Sequence, residues 1–132
     1  MIMELITFLF KLFLISILLH VIDDFVLQPI CLSKLKQKKF WLDHPDYLEK
    51  YKDDYKMALF IHSLSWSIMI MLPILYIINN IFIYVGFLIV NTTIHYMTDD
   101  NKANKFKFNL VEEQLIHFGQ IISMYLFLFF VY

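Results

Sequence analysis

Three histidines in this chain each stand four residues from a carboxylate: His20 before Asp24, His95 before Asp99, and His117 after Glu113. A spacing of four places both side chains on one face of a helix. His62 is a fourth imidazole in an apolar stretch, whereas His44, beside Pro45 in a polar stretch, reads as a solvated loop residue. Imidazoles and carboxylates presented by several helices are how helical bundles hold divalent metals. The candidate ligands are therefore His20, Asp24, His62, His95, Asp99, Glu113 and His117. Four imidazoles and three carboxylates exceed the four ligands of one tetrahedral zinc, so the set fits two ions, or one ion within a charged surround. Such mixtures suit zinc, manganese, iron, cobalt or nickel, and with no thiolate pair nearby copper(I) is disfavoured; zinc is the favoured cofactor. A divalent ion so held acidifies water and polarises a phosphoryl or carbonyl oxygen. Asp24, Asp99 and Glu113 are then candidate general bases, and Lys102 is a candidate for stabilising developing negative charge.

The same faces continue in polar residues. Ser16, His20, Asp24 and Gln28 follow at steps of four, as do Asn91, His95 and Asp99, with Lys102 three further on; Gln114 and Gln120 flank His117 at three residues. Gln28, Asn91, Gln114 and Gln120 are expected to orient the ligands by hydrogen bonds. Asp23, Asp100 and Glu112, next to the paired acids, read as solvated surface residues.

The elements that must position these groups are membrane helices. The chain has 132 residues, 60% of them hydrophobic, with 14 Phe and 8 Tyr, and a mean hydropathy of +0.64. A soluble domain of this size cannot hide so much apolar surface. Apolar stretches at about 2–22, 57–78, 81–96 and 115–131 approach the roughly 20 residues that cross a bilayer. They are continuous rather than alternating, which excludes a β-barrel. The third, at about 1.5 Å per residue, covers only about 24 Å and needs stretched ends or a thinned bilayer. The expected fold is all-α: one domain, a four-helix transmembrane bundle with an interfacial helical connector between its first two helices. Pro29 is expected to end the first helix near Gln28. The N-terminal stretch lacks a basic start and a cleavage site, and the surroundings of Cys31 match a lipoprotein signal poorly, so it reads as a retained helix. A lone Cys31 excludes an intrachain disulfide. All 11 basic residues are Lys and the net charge is −1, which argues against nucleic acid as a partner.

Lysines set the orientation. Seven lie in the 29–56 connector and three, Lys102, Lys105 and Lys107, in the connector near 98–110. The positive-inside rule puts both connectors in the cytoplasm and both termini outside, as for a bacterial inner-membrane protein. The first connector mixes Lys with Phe40, Trp41, Tyr47, Tyr51 and Tyr55, which suits helices lying among anionic headgroups. Lys11, deep in the first stretch with Glu4 seven residues away, reads as a snorkelling side chain. In this topology His20 and His95 end inward-running helices, while His62 and His117 begin outward-running ones. All four imidazoles thus lie at one depth, with the carboxylates about 6 Å nearer the cytoplasm.

The set His20-x-x-x-Asp24-Phe25-x-Leu27-Gln28, His62, His95-x-x-x-Asp99-x-x-Lys102 and Glu113-Gln114-x-x-His117 resembles a family of small bacterial and phage membrane proteins known as domain of unknown function thirty-three-oh-seven. Glu113 departs from the family's usual Asp before the last His; the resemblance implies a ligand there on a longer arm. The pattern is also similar in style to small membrane-bound metal-dependent hydrolases. The expected function is a metal-dependent hydrolase acting at the cytoplasmic membrane interface, on a lipid or other amphipathic substrate. The alternatives are metal-ion or proton transport and a non-catalytic phage or bacterial membrane interaction protein. Oligomeric state is not legible.

Overall fold

Long runs of Leu, Ile and Phe, broken only by Pro73, Gly86 and Gly119, favour helix, and in lipid a helix satisfies its own backbone. The computed structural model describes residues 2–28, 30–43 and 48–131; the expectations for Pro29, His44 and Tyr47 lie outside them. Helix α1 (Ile2–Ile22) continues without a break into a wider π-helical turn, Asp23–Leu27. Three short helices follow, α2 (Ile30–Leu35), α3 (Lys38–Leu42) and α4 (Leu48–Tyr51). Helix α5 (Asp54–Met71) tightens into a 3-10 turn over Leu72–Tyr76. Pro73 lacks an N–H and so cannot carry the α pattern through this point. Helices α6 (Ile81–Ala103) and α7 (Leu110–Val131) complete the chain, with no strand among the described residues.

Both of the last helices start at caps. The Asn80 side-chain oxygen accepts from the backbone N–H groups of Phe82 and Ile83. Asn109 and Glu112 exchange side chain-to-backbone hydrogen bonds at 2.8 and 3.0 Å, so Glu112 forms a capping box. Helix α6 has 23 residues, which at about 1.5 Å each spans roughly 34 Å and removes the shortfall expected for the third stretch. Residues 98–103, expected in a connector, are helical.

Four helices among the described residues are long and apolar enough to cross a membrane. They form a ring in the order α1, α5, α6, α7, closed by contact between α7 and α1. Large apolar side chains such as Phe8, Leu14, Leu18, Ile89 and Phe130 face outward, where a membrane protein meets acyl chains. Inside, the bundle divides along its axis. The half away from the long connectors is packed with Leu9, Leu12, Ile70, Ile74, Ile121 and Leu128. The half beside the connectors buries His20, Asp23, His62, His95, Asp99, Glu113 and His117. Lys11 is exposed on the lipid-facing side of α1.

Candidate metal centre

Trp66 forms the floor between the two halves. It stands four residues after His62 on α5, fully buried. Its ring stacks on His95 at 4.2 Å between centroids, and His95 stacks on His117 at 4.1 Å. The four imidazoles of the helical stretches therefore share one level.

Three histidines and two aspartates converge there. The Nε2 atoms of His62 and His95 face each other at 3.2 Å. Asp99 faces all three rings: its Oδ1 is 3.5 Å from Nε2 of both His95 and His117, and its Oδ2 is 3.4 Å from Nε2 of His62. Asp24 Oδ1 is 3.6 Å from His62 Nε2. Two overlapping groups, Asp24–His62–His95 and His95–Asp99–His117, each place three ligand atoms within 4.8 Å of one another. These buried His and Asp residues could hold a metal ion.

The hydrogen bonds around the groups decide which ring nitrogens are free. Gln120 donates its amide to the backbone and side-chain oxygens of Asn91, which turns its carbonyl to His117 Nδ1 at 3.3 Å. His117 therefore donates through Nδ1, which in the neutral ring leaves the Nε2 lone pair facing the Asp99 carboxylate. Two acceptors at that distance call for a cation between them. Buried Asp24 Oδ1 and His117 Nε2 also have no hydrogen-bond partner, a costly arrangement unless something positive sits there.

His20 has another role. Trp66 Nε1 donates to its Nδ1 at 2.7 Å, so Nε2 carries the proton and donates to Gln114 Oε1 at 3.0 Å. Gln114 in turn donates to Asp24 Oδ2 at 3.2 Å. Both nitrogens of His20 are engaged, and it stands outside the two ligand groups that the sequence expectation had it join. Glu113 is also outside them. It pairs with Lys102 across the cavity wall, so the longer arm reaches a cation on α6 instead of the ligand cluster.

Two side chains arrive unannounced. Asp23, expected at a solvated surface, is buried and accepts from Ser65 Oγ at 2.9 Å, with His62 Nδ1 3.8 Å from its other oxygen. The reason is the π turn: Gln28 N–H bonds to Asp23 O, five residues back, and the added width lets consecutive Asp23 and Asp24 both face inward. Lys36, expected among lipid headgroups, is only 9% exposed and donates to Asp99 Oδ2 at 2.7 Å. Gln28 bridges the π turn and the connector, its carbonyl accepting from Lys36 Nζ at 2.6 Å and its amide nitrogen donating to the Asp24 backbone oxygen at 3.1 Å. Nothing distinguishes Lys36 from its lysine neighbours in the sequence, whereas the i,i+4 spacing of Trp66 from His62 was a readable signal. Asp100 pairs with Lys105 at 2.6 Å, at the rim.

Within this layer four carboxylates, Asp23, Asp24, Asp99 and Glu113, face two ammoniums, Lys36 and Lys102. With neutral imidazoles the formal excess is two negative charges. Uncompensated buried charge costs several kcal/mol per ion, which favours a cation in the layer. A polar cavity of about 100 Å³ reaches the cluster, walled by Asp24, His62, Asp99, Lys102 and Glu113. It shares Lys36, Lys102 and Glu113 with an outer vestibule of about 320 Å³ beneath the connectors. No protein-family model matches the chain, nor does any curated protein sequence or solved structure.

Proposed function

We propose that this chain is a membrane-embedded divalent-metal protein, and that the metal serves hydrolysis at the membrane interface. The observation that carries the reading is the pair of overlapping His–Asp groups in a layer bearing two excess negative charges, opened to solvent by a polar cavity. His62, His95, His117 and Asp99 would hold the ion, with Asp24 beside them as the base and zinc favoured by the imidazole-carboxylate set. A divalent ion there supplies Lewis acidity to an ester oxygen and acidifies water. Asp24 Oδ1, unpartnered at the cavity wall, accepts the water's proton as the water oxygen bonds to the ester's central atom. The ester bond then breaks, and the leaving alkoxide takes the proton that Asp24 holds, which restores the carboxylate. Lys102 stands at the cavity's outer end, where negative charge would develop, and Glu113 holds it there.

In this reading the lysine-rich connectors face the cytoplasm and both termini the other side of a bacterial inner membrane. The motif's similarity to domain of unknown function thirty-three-oh-seven is proposed on the same residues. Transport is less favoured, because the half of the bundle beyond Trp66 is filled by Leu9, Ile70, Ile74 and Leu128. Detergent-purified protein is expected to carry stoichiometric divalent metal and to hydrolyse an ester, with both lost in His95→Ala, since His95 belongs to both groups. Protein free of metal after preparation in zinc- or manganese-supplemented medium would refute the reading.

A further inference from the structure

The cavity that reaches the candidate ligands has one wall that does not suit an aqueous ligand. Besides its polar residues it is bounded by Phe25, from the π turn of α1, and Leu110, the first residue of α7. They are 59% and 53% exposed on the outside of the bundle, so the α1–α7 seam at this level lies between the cavity and the acyl chains. The vestibule has a similar edge at Phe106, which is 81% exposed and held in left-handed backbone at φ 54°. A bulky side chain in that region is strained, and such strain clusters at functional sites.

The roof is cationic. Residues 30–42, which contain α2 and α3, include Lys34, Lys36, Lys38 and Lys39 and no carboxylate. This segment is anchored over the cavity. Asn104, at the end of α6, accepts from the Lys38 backbone N–H at 2.7 Å and donates to the Lys36 carbonyl at 3.1 Å. Of the four only Lys36 lines the cavity and the vestibule; the exposed Lys34, Lys38 and Lys39 raise the concentration of anions around the segment. The vestibule's other contributors include Ser33, Gln37 and Lys102, side chains able to donate to an oxygen-rich headgroup. A vestibule of about 320 Å³ lies at the lower end of ligand-pocket sizes, roughly 300–1,000 Å³, and so fits a small headgroup.

We infer that the site takes a phosphomonoester-bearing amphiphile, its phosphate under the Lys36 roof and its apolar chain leaving between Phe25 and Leu110 into the bilayer. This rests on the proposed metal-hydrolase reading, because the carboxylates lining the cavity admit a phosphate only once a divalent cation offsets them; the seam and Lys36 then select which amphiphile enters. The phosphate could come from a lipid or from a soluble ester, and the seam favours the lipid.

The test is native mass spectrometry of the full-length protein from nanodiscs containing phosphatidic acid and phosphatidylcholine, with metal content measured on the same samples. Retention of phosphatidic acid is expected to exceed that of phosphatidylcholine by about tenfold, the scale of one charge-assisted contact. Lys36→Gln is expected to erase that selectivity. Phe25→Ser with Leu110→Ser is expected to lower phosphatidic acid retention while leaving metal content unchanged. Equal retention of the two lipids would overturn the inference, as would displacement of phosphatidic acid by equimolar glycerol phosphate, which would show that the chain adds nothing. Loss of fold is monitored by the thermal transition of each variant; Lys36→Arg, which keeps the charge, is expected to retain selectivity, and its failure to do so counts against the roof. Metal-loaded protein that retains the two lipids equally would refute this inference alone, whereas protein without metal would refute the reading on which it rests.

Discussion

Lys36 gives the sharpest test of the metal centre, because a structural lysine and a cation competing with metal respond in opposite directions. Its Nζ lies 2.7 Å from Asp99 Oδ2, the oxygen that is 3.4 Å from His62 Nε2. An ion bound by Asp99 and His62 must therefore sit beside the ammonium or displace it. Two unit charges about 4 Å apart interact by roughly 4 kcal/mol at an effective dielectric near 20, and a divalent ion would double that repulsion. Lysine's flexible stem lets it retreat toward Gln28 and the vestibule, so most of the repulsion is relieved; a residue of about 1.4–3 kcal/mol is expected, or about ten- to a hundredfold in affinity. Lys36→Met, which keeps the stem's volume, should thus bind zinc or manganese more tightly by that factor. The same change strands Asp99 beside a neutral side chain, and breaking a buried pair this way costs about 3–5 kcal/mol. The metal-free variant should melt earlier than the parent, and saturating metal should restore more stability than it adds to the parent. Isothermal titration in detergent with a metal buffer, alongside thermal melts with and without metal, measures both quantities. Unchanged or weaker metal affinity in Lys36→Met would refute the competition and the placement of the ion at Asp99.

Other substitutions separate ligands from the groups that orient them. Trp66→Phe removes the donor to His20 Nδ1 while keeping an aromatic floor; because His20 reaches Asp24 only through Gln114, metal affinity should fall by less than the roughly tenfold that losing a bond to a ligand itself costs, as equilibrium titration would read. His20→Ala should weaken metal binding but leave it stoichiometric, whereas His95→Ala should abolish it, as metal analysis of purified protein would show. A cobalt(II) absorption spectrum altered by Gln120→Leu, which frees the His117 ring, would report the ligand's changed orientation. Asn80→Ala, remote from the centre, should cost about 1 kcal/mol as a lost helix cap and leave metal affinity unchanged, measured by melting and titration.

Residue periodicity alone specified four span-length helices and the common level of the four imidazoles. Both follow from periodicity: apolar runs long enough to span, alternating helix direction, and carboxylates whose order reverses on α7 as the helix does. Helical spacing also put Gln114 and Gln120 on the faces where they meet His20 and His117. What it could not determine depends on contacts between elements distant in the chain. A 3.6-residue pattern assigns Asp24 inward and Asp23 away; only the π turn, held by the Gln28–Asp23 bond, turns both inside. Lys36 enters the centre because Asn104 fastens the α2–α3 segment over α6, a constraint between residues 68 apart. The commitment of His20 to Trp66 and Gln114, and of Glu113 to Lys102, likewise arises from neighbouring helices. Residue spacing names the groups that share a helix face, but the nitrogen left free for a ligand is chosen by whichever partner the packed bundle brings to the other side of the ring.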